Sequence, residues 1–271
     1  MEIITLITDF ENKSILYNQS PLTTGGYEDQ LKNYLNHFSR NPKTISVNEA
    51  IEYLIGLNVH SRKTAIAALK FFYSKCLNST KFNKLEYPKI PEYIPDVLNE
   101  SEVNDLINVA DNIKHKTIIM LLYSTGMRVT ELINLKWNKI DKATMTIHIV
   151  QGKGKKDRAV KLAPTMKAQL IAYCKAYGIG CFNSNDYVFK GQRKPKYSRR
   201  SVEAFMERYG KKAGIKKRVS PHILRHCTGT HLRARGIDLA DIQDILGHKS
   251  PKTTRIYSKL TNLKRIPDLL A

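Results

Sequence analysis

Apolar positions recur at helical spacing through the first third of the chain. Residues 27–38 place Leu31, Tyr34, Leu35 and Phe38 on one face, and residues 47–57 repeat the pattern. Over residues 60–75, Ile66, Leu69, Phe72 and Tyr73 share one side, while Arg62, Lys63, Lys70 and Lys75 share the other. Residues 1–82 are therefore expected to form a small helical domain. Pro88, Pro91 and Pro95 follow, a spacing that resists helix and central strand alike, because proline fixes φ and lacks an N–H. The pattern predicts an extended linker over 83–98. Helical periodicity resumes over 101–109, with Asn99 and Ser101 as candidate caps. Residues 118–123 read as a buried helix that stops at Gly126. Residues 145–150 and 158–162 alternate in strand fashion around a turn at 152–157. Further helices are expected at about 165–177, 198–213, 221–234, 238–246 and 251–259. The fold class this predicts is mainly α with a small antiparallel β-sheet, the larger domain occupying 99–271.

Composition narrows the class. With 271 residues, 42% hydrophobic and 25% charged, the chain has the makeup of an ordinary globular protein. No apolar run approaches the roughly 18–20 residues needed to span a bilayer. The start, Met1-Glu2-Ile3-Ile4, lacks the basic lead of a secretory signal. Cys76, Cys174, Cys181 and Cys227 are scattered without ligand or scaffold spacing, which suits free thiols in a reducing cytoplasm. The formal net charge of +21 calls for a polyanionic partner. Residues 1–92 carry 11 basic and 9 acidic side chains and the remainder 34 and 15, so the field sits on the last two-thirds. A phosphate-handling site belongs there. On residues 60–75 a solvated basic face and a DNA-facing one are both compatible with the pattern.

Several clusters in that region could carry chemistry. His222 and Arg225, three apart behind Ser220-Pro221, share a helix face. His222 and His226 at i, i+4 evoke a zinc helix, but Ile223 stands where the metalloprotease pattern needs glutamate, and no acidic or cysteine ligand is close in sequence. No metal is expected. Gly152-Lys153-Gly154-Lys155 is too short for a nucleotide-binding loop and leads into a strand; a solvated hairpin and a phosphate contact both remain open. Metal-free scission of a phosphodiester needs a nucleophile, cationic clamps for the equatorial oxygens and an acid for the departing oxygen. Arginine suits the clamp, its planar fork meeting two oxygens at once. Arg128 opens a helix after Gly126, where backbone N–H groups also face an anion, and Arg225 lies on another helix. Lys153 sits at a hairpin tip, and Tyr257 follows Leu246-Gly247-His248 on a short terminal helix.

At these residues the chain resembles the tyrosine recombinase (phage integrase) family, and within it the compact Xer-type enzymes. Thr125-Gly126-Met127-Arg128-Val129-Thr130-Glu131-Leu132 resembles the first arginine box, and Gly152-Lys153-Gly154-Lys155-Lys156-Asp157-Arg158 the β-hairpin lysine box. His222-Ile223-Leu224-Arg225-His226 with Thr230-His231-Leu232 resembles the second arginine box. Leu246-Gly247-His248 and Thr253-Thr254-Arg255-Ile256-Tyr257 resemble the terminal histidine and tyrosine box, and residues 94–99 the interdomain strap. The likeness runs from about residue 20 to 260. Cys227 and Thr228 depart from it, standing where a hydroxyl residue and an aromatic are more usual.

The resemblance implies a two-domain DNA clamp: a helical core-binding domain and a tyrosine recombinase catalytic domain. Tyr257 would attack the scissile phosphate to give a 3′-phosphotyrosine. Arg128 and Arg225 would hold the non-bridging oxygens, and Lys153 would protonate the leaving 5′ oxygen. His222 would assist the proton of Tyr257, and His248 would contact the phosphate or position the nucleophile. Glu131 would orient an arginine, while His226 and His231 would be structural. Arg62, Lys63, Lys70, Lys75 and Lys155 are candidate DNA contacts. No cofactor and no small-molecule substrate are implied. The partner would be double-stranded DNA with paired half-sites, on which the protein self-associates into a tetramer. Leu263, Ile266, Leu269 and Leu270 of the last ten residues would then dock on a neighbour, although docking on the same molecule's core also suits them. A type IB topoisomerase and a binding-only DNA regulator are the competing functions.

Overall fold

The structure, a computed structural model, describes residues 3–90, 96–149, 157–179, 184–192 and 194–247. It divides into two compact units, Met1–Glu92 and Tyr93–Ala271.

The first unit holds α1 (Ile3–Leu16), α2 (Pro21–Phe38), α3 (Val47–Ile55) and α4 (Val59–Phe71), the last continuing into a π-helical turn at Phe72–Cys76. Helix α2 starts earlier than its apolar periodicity. Ser20 accepts a hydrogen bond from the Thr23 N–H, and Pro21 takes the first turn, where its missing donor costs nothing. Helix α3 opens on a reciprocal capping box between Ser46 and Glu49. Leu6, Ile7 and Phe10 of α1 join Leu31, Tyr34, Leu54, Leu69, Phe72, Tyr73 and Phe82 in one core. Two of its buried hydroxyls pair: Tyr34 Oη and Tyr73 Oη lie 3.2 Å apart, and Tyr73 Oη donates to the Pro42 carbonyl at 2.6 Å. Residues 85–90 have no regular structure, and residues 91–95 lie outside the described residues.

The second unit comprises α5 (Glu100–Asn108), α6 (Ile113–Thr125), α7 (Val129–Ile133), β1 (Ile140–Asp141), β2 (Thr146–Ile149), β3 (Arg158–Lys161), α8 (Pro164–Tyr177), α9 (Arg199–Lys212), α10 (Pro221–Ala234) and α11 (Leu239–Leu246). Asn99 rather than Ser101 caps α5, forming a capping box with Glu102. The sheet is antiparallel in the order β1-β2-β3, with Ile140 opposite Ile147 and Ile149 opposite Arg158. Strand β1 was not expected, because two residues are too few to alternate visibly. Helix α6 is apolar nearly all round and is covered accordingly: Ile118, Ile119, Leu121 and Leu122 are buried among Leu170 and Tyr173 of α8, Met206 of α9 and Leu224 of α10.

Cys76 and Cys227 are free, but Cys174 is disulfide-bonded, which corrects the expectation of free thiols at that position. Sequence spacing was a poor guide because a disulfide depends on Cα atoms brought within about 5.5–6 Å by folding. Among the described residues no helix is long and apolar enough to cross a membrane.

Candidate active site

The site begins with the end of α6. Gly126 closes that helix at φ +57°, a left-handed conformation that costs most side chains strain. A Cβ there would collide with Leu246 Cδ2 of α11 and sit 3.3 Å from Thr228 Cγ2 of α10. Glycine thus lets three elements approach one another. Thr228 closes the same junction, its buried hydroxyl lying 2.7 Å from the Tyr123 carbonyl of α6 and 3.0 Å from that of Leu224. Cys227 is fully buried, and burial pushes its thiol up to about 12. The two departures in the second arginine box are therefore absorbed as packing behind Arg225.

Beyond Gly126 the chain buries Met127 and presents Arg128 as the residue preceding α7. The N–H of Arg128, expected to face an anion, instead donates to Glu131 Oε2 at 2.8 Å. Its guanidinium donates through Nη1 to Glu131 Oε1 at 2.9 Å and through Nη2 to the Gly247 carbonyl at 3.3 Å. The side chain remains 35% exposed, so part of its fork faces solvent. Arg225, on α10, is buried and donates to the carbonyls of Gly126 and Leu246. Ninety-seven positions apart in sequence, the two arginines reach successive carbonyls at the end of α11.

A third arginine, Arg158, completes this arrangement. Its Nε donates to the Ile245 carbonyl at 2.8 Å, while Nη1 and Nη2 meet Glu131 Oε1 and Oε2 at 3.1 and 2.7 Å. The carbonyls of residues 245, 246 and 247 each accept from a different arginine, which satisfies orphan acceptors at a helix C-terminus and places cations where the helix dipole favours them. Burial opposes ionisation of Glu131. The hydrogen bonds and charge of Arg158, and then Arg128, outweigh it and hold the carboxyl below the usual glutamate range. Arg158 had no assigned role at the level of sequence; the only signal was its place at the end of the lysine-box stretch.

His222 stands exposed on the first turn of α10, with its Nε2 3.0 Å from His226 Nε2. Partial desolvation, then the positive charges of Arg225 and Arg128, lowers its pKa, so the ring is neutral and able to accept a proton at neutral pH. His226 and His231 are buried, in keeping with structural roles, and the Nδ1 of His231 lies 2.7 Å from Tyr123 Oη. The structure thus brings Arg128, Arg225 and His222 together. Lys153, Lys155, His248 and Tyr257 lie outside the described residues.

In the first unit the candidate DNA contacts have different surroundings. Arg62 reaches back to the end of α3, where Nε donates to the Leu54 carbonyl and Nη2 to those of Ile55 and Leu57, at 2.8–2.9 Å. Its guanidinium is engaged as a helix cap, a use that a basic residue on a charged face does not reveal in sequence. Lys63 is exposed. Lys70 and Lys75 place their ammonium groups over the rings of Tyr87 and Tyr17, 4.8 and 4.6 Å from the centroids.

Residues 96–263 match the Phage integrase family. Tyrosine recombinase XerA of Pyrococcus horikoshii is 35% identical over 236 residues, spanning 84% of this chain and 81% of that protein. The crystal structure of XerA recombinase is 32% identical, with a TM-score of 0.57 over 97% of this chain and 95% of that one. The XerH site-specific recombinase bound to difH substrate, a pre-cleavage complex, shares the fold with a TM-score of 0.73 at 23% identity, over 95% and 82% of the two chains. The mainly helical fold with its small sheet, the arginines gathered on the end of α11 and these likenesses agree: the chain belongs to the Phage integrase family, among the tyrosine recombinases.

Proposed function

We propose that this chain breaks and rejoins double-stranded DNA at paired specific sites, with Arg128 and Arg225 gripping the scissile phosphate and Tyr257 attacking it. The observation that carries this reading is the convergence of Arg128 and Arg225 on the end of α11, with His222 under the influence of both charges; His248 and Tyr257 follow α11 in sequence. Arg128, with part of its fork turned outward, and the buried positive charge of Arg225 beside it suit the charge that grows on the equatorial oxygens. A net charge of +21 suits a DNA substrate, and a related Xer recombinase has been seen bound to its own.

In the first step Tyr257 Oη bonds to phosphorus and the bond to the 5′ oxygen breaks. His222 takes the tyrosine proton, and Lys153 gives one to the leaving oxygen. A 5′-hydroxyl of a partner duplex then displaces Tyr257, restoring a phosphodiester. Each step exchanges one ester for another, so neither ATP nor metal is consumed, and His248 steadies the phosphate. Lys63, Lys70, Lys75 and Lys155 contribute phosphate contacts along the duplex, whereas Arg62 supports the fold of the first unit. The protein works in the cytoplasm, a monomer until two half-site pairs assemble it into a cyclic tetramer.

The test is a nicked suicide substrate, incubated with excess EDTA. The chain should form a denaturant-resistant covalent adduct, and Tyr257→Phe should bind the same DNA and form none. An adduct with Tyr257→Phe refutes the nucleophile, and its disappearance with EDTA refutes the metal-free clamp. Relaxation of any supercoiled plasmid without recombinant products would instead indicate a topoisomerase.

A further inference from the structure

Glu131 creates an electrostatic problem. A carboxylate 2.9 Å from Arg128 offsets the positive charge that a phosphate is meant to meet, and burial strengthens that effect by lowering the local dielectric. Left as a simple pair, Arg128 and Glu131 would present a dipole to DNA rather than a cation. Arg158 changes this. Its fork meets both oxygens of Glu131, and the two side chains are only 6% and 10% exposed. Two guanidinium groups then share one carboxylate, and the cluster keeps a net positive charge whose solvent-facing member is Arg128.

We infer that Arg158 is a positioning residue for cleavage: it neutralises Glu131 from behind, so that Glu131 fixes the orientation of Arg128 without cancelling its charge toward the phosphate. The same guanidinium holds the end of α11 through the Ile245 carbonyl, so that Arg128 and the helix end beside it share one anchor. Arg158 touches no reacting atom in this scheme. The inference rests on the proposed role of Arg128, and the test separates the two.

The experiment is a double-mutant cycle on the full chain, measured as single-turnover cleavage of the suicide substrate alongside half-site affinity. Arg158→Met leaves Glu131 paired with Arg128 alone, offsetting its charge toward the phosphate, and should slow cleavage by about 30-fold or more, while half-site affinity stays within about threefold because the other phosphate contacts are intact. Glu131→Gln in the Arg158→Met background removes the negative charge that offsets Arg128 and should recover about tenfold of that loss. A purely structural role predicts that cleavage merely follows stability, so urea unfolding of each variant is measured alongside and the recovery in cleavage should exceed any recovery in stability. Arg158→Lys keeps the charge and loses the fork, so it should remain within about fivefold of the parent. This variant also decides the matter should Arg158→Met not fold. A folded Arg158→Lys as slow as about 30-fold, or a double variant no faster than Arg158→Met, overturns the inference. If Arg128→Ala itself cleaves at the parental rate, the proposed clamp fails instead.

Discussion

His222 and His226 face each other across one turn of α10 with their Nε2 atoms 3.0 Å apart, so one ring must donate to the other. Two protonated rings cannot share that contact. Desolvation, then the charges of His222 and Arg225, pushes His226 down to about 4, and desolvation does the same to His231. Both sites are therefore built around neutral imidazoles.

That arrangement makes stability pH-dependent. The unfolded chain takes up protons on these histidines near the ordinary value of 6.5, whereas the folded chain resists until about 4. Between those limits the unfolded state binds more protons, so stability should fall as pH falls, by up to about 1.4 kcal/mol per pH unit for each histidine. Urea unfolding at about pH 7.5 and about pH 5 should show the loss, and His231→Gln should flatten the slope. Equal stability at both values would contradict the neutral-ring assignment.

Arg62 should matter to folding more than to DNA. Arg62→Ala leaves three carbonyls at the end of α3 without their charged donor, which should lower the stability of the first unit by about 1–3 kcal/mol. Half-site affinity, measured where the variant is folded, should change by less than about threefold, as expected for a residue with most of its donors used internally. A large affinity loss with unchanged urea unfolding would make Arg62 a DNA contact after all.

Acid and clamp can be separated chemically. A sulfur leaving group departs without a proton, so a 5′-bridging phosphorothiolate should rescue cleavage by Lys153→Ala. Arg128→Ala, expected to lose about 10²–10³ in rate, should gain far less from the same substrate. Comparable rescue of both variants would reduce Lys153 to another phosphate contact.

Assembly is tested by truncation. A chain ending at Leu260 lacks Leu263, Ile266, Leu269 and Leu270 but keeps the arginine clamp. It should bind one half-site nearly as well as the parent, yet lose cooperative binding to paired half-sites and the synaptic complex in a gel-shift assay. Full recombination by the truncated chain would remove the proposed exchange of tails between neighbours, and unfolding would assign the tail to its own core.

The sequence by itself determined where several helices lie and some of their ends. Apolar spacing located α3, α4 and α6, and Asn99 and Gly126 marked where helices begin and stop, because propensity and capping act over one or two turns. The order of the boxes around Arg128, Arg225 and His222 carried the family, since those residue types must recur for the chemistry. What the sequence left out were contacts that folding alone makes. The two-residue strand β1 is defined by pairing with β2 and has no pattern of its own. The Cys174 disulfide depended on a separation in space. Arg62 and Arg158 looked like any basic residues until α3 and Glu131 were placed beside them. Only the tertiary structure could bring Arg128, Arg158 and Arg225 to three successive carbonyls of α11, because hydrogen bonds between elements depend on packing geometry, and local sequence encodes each partner without the distance between them.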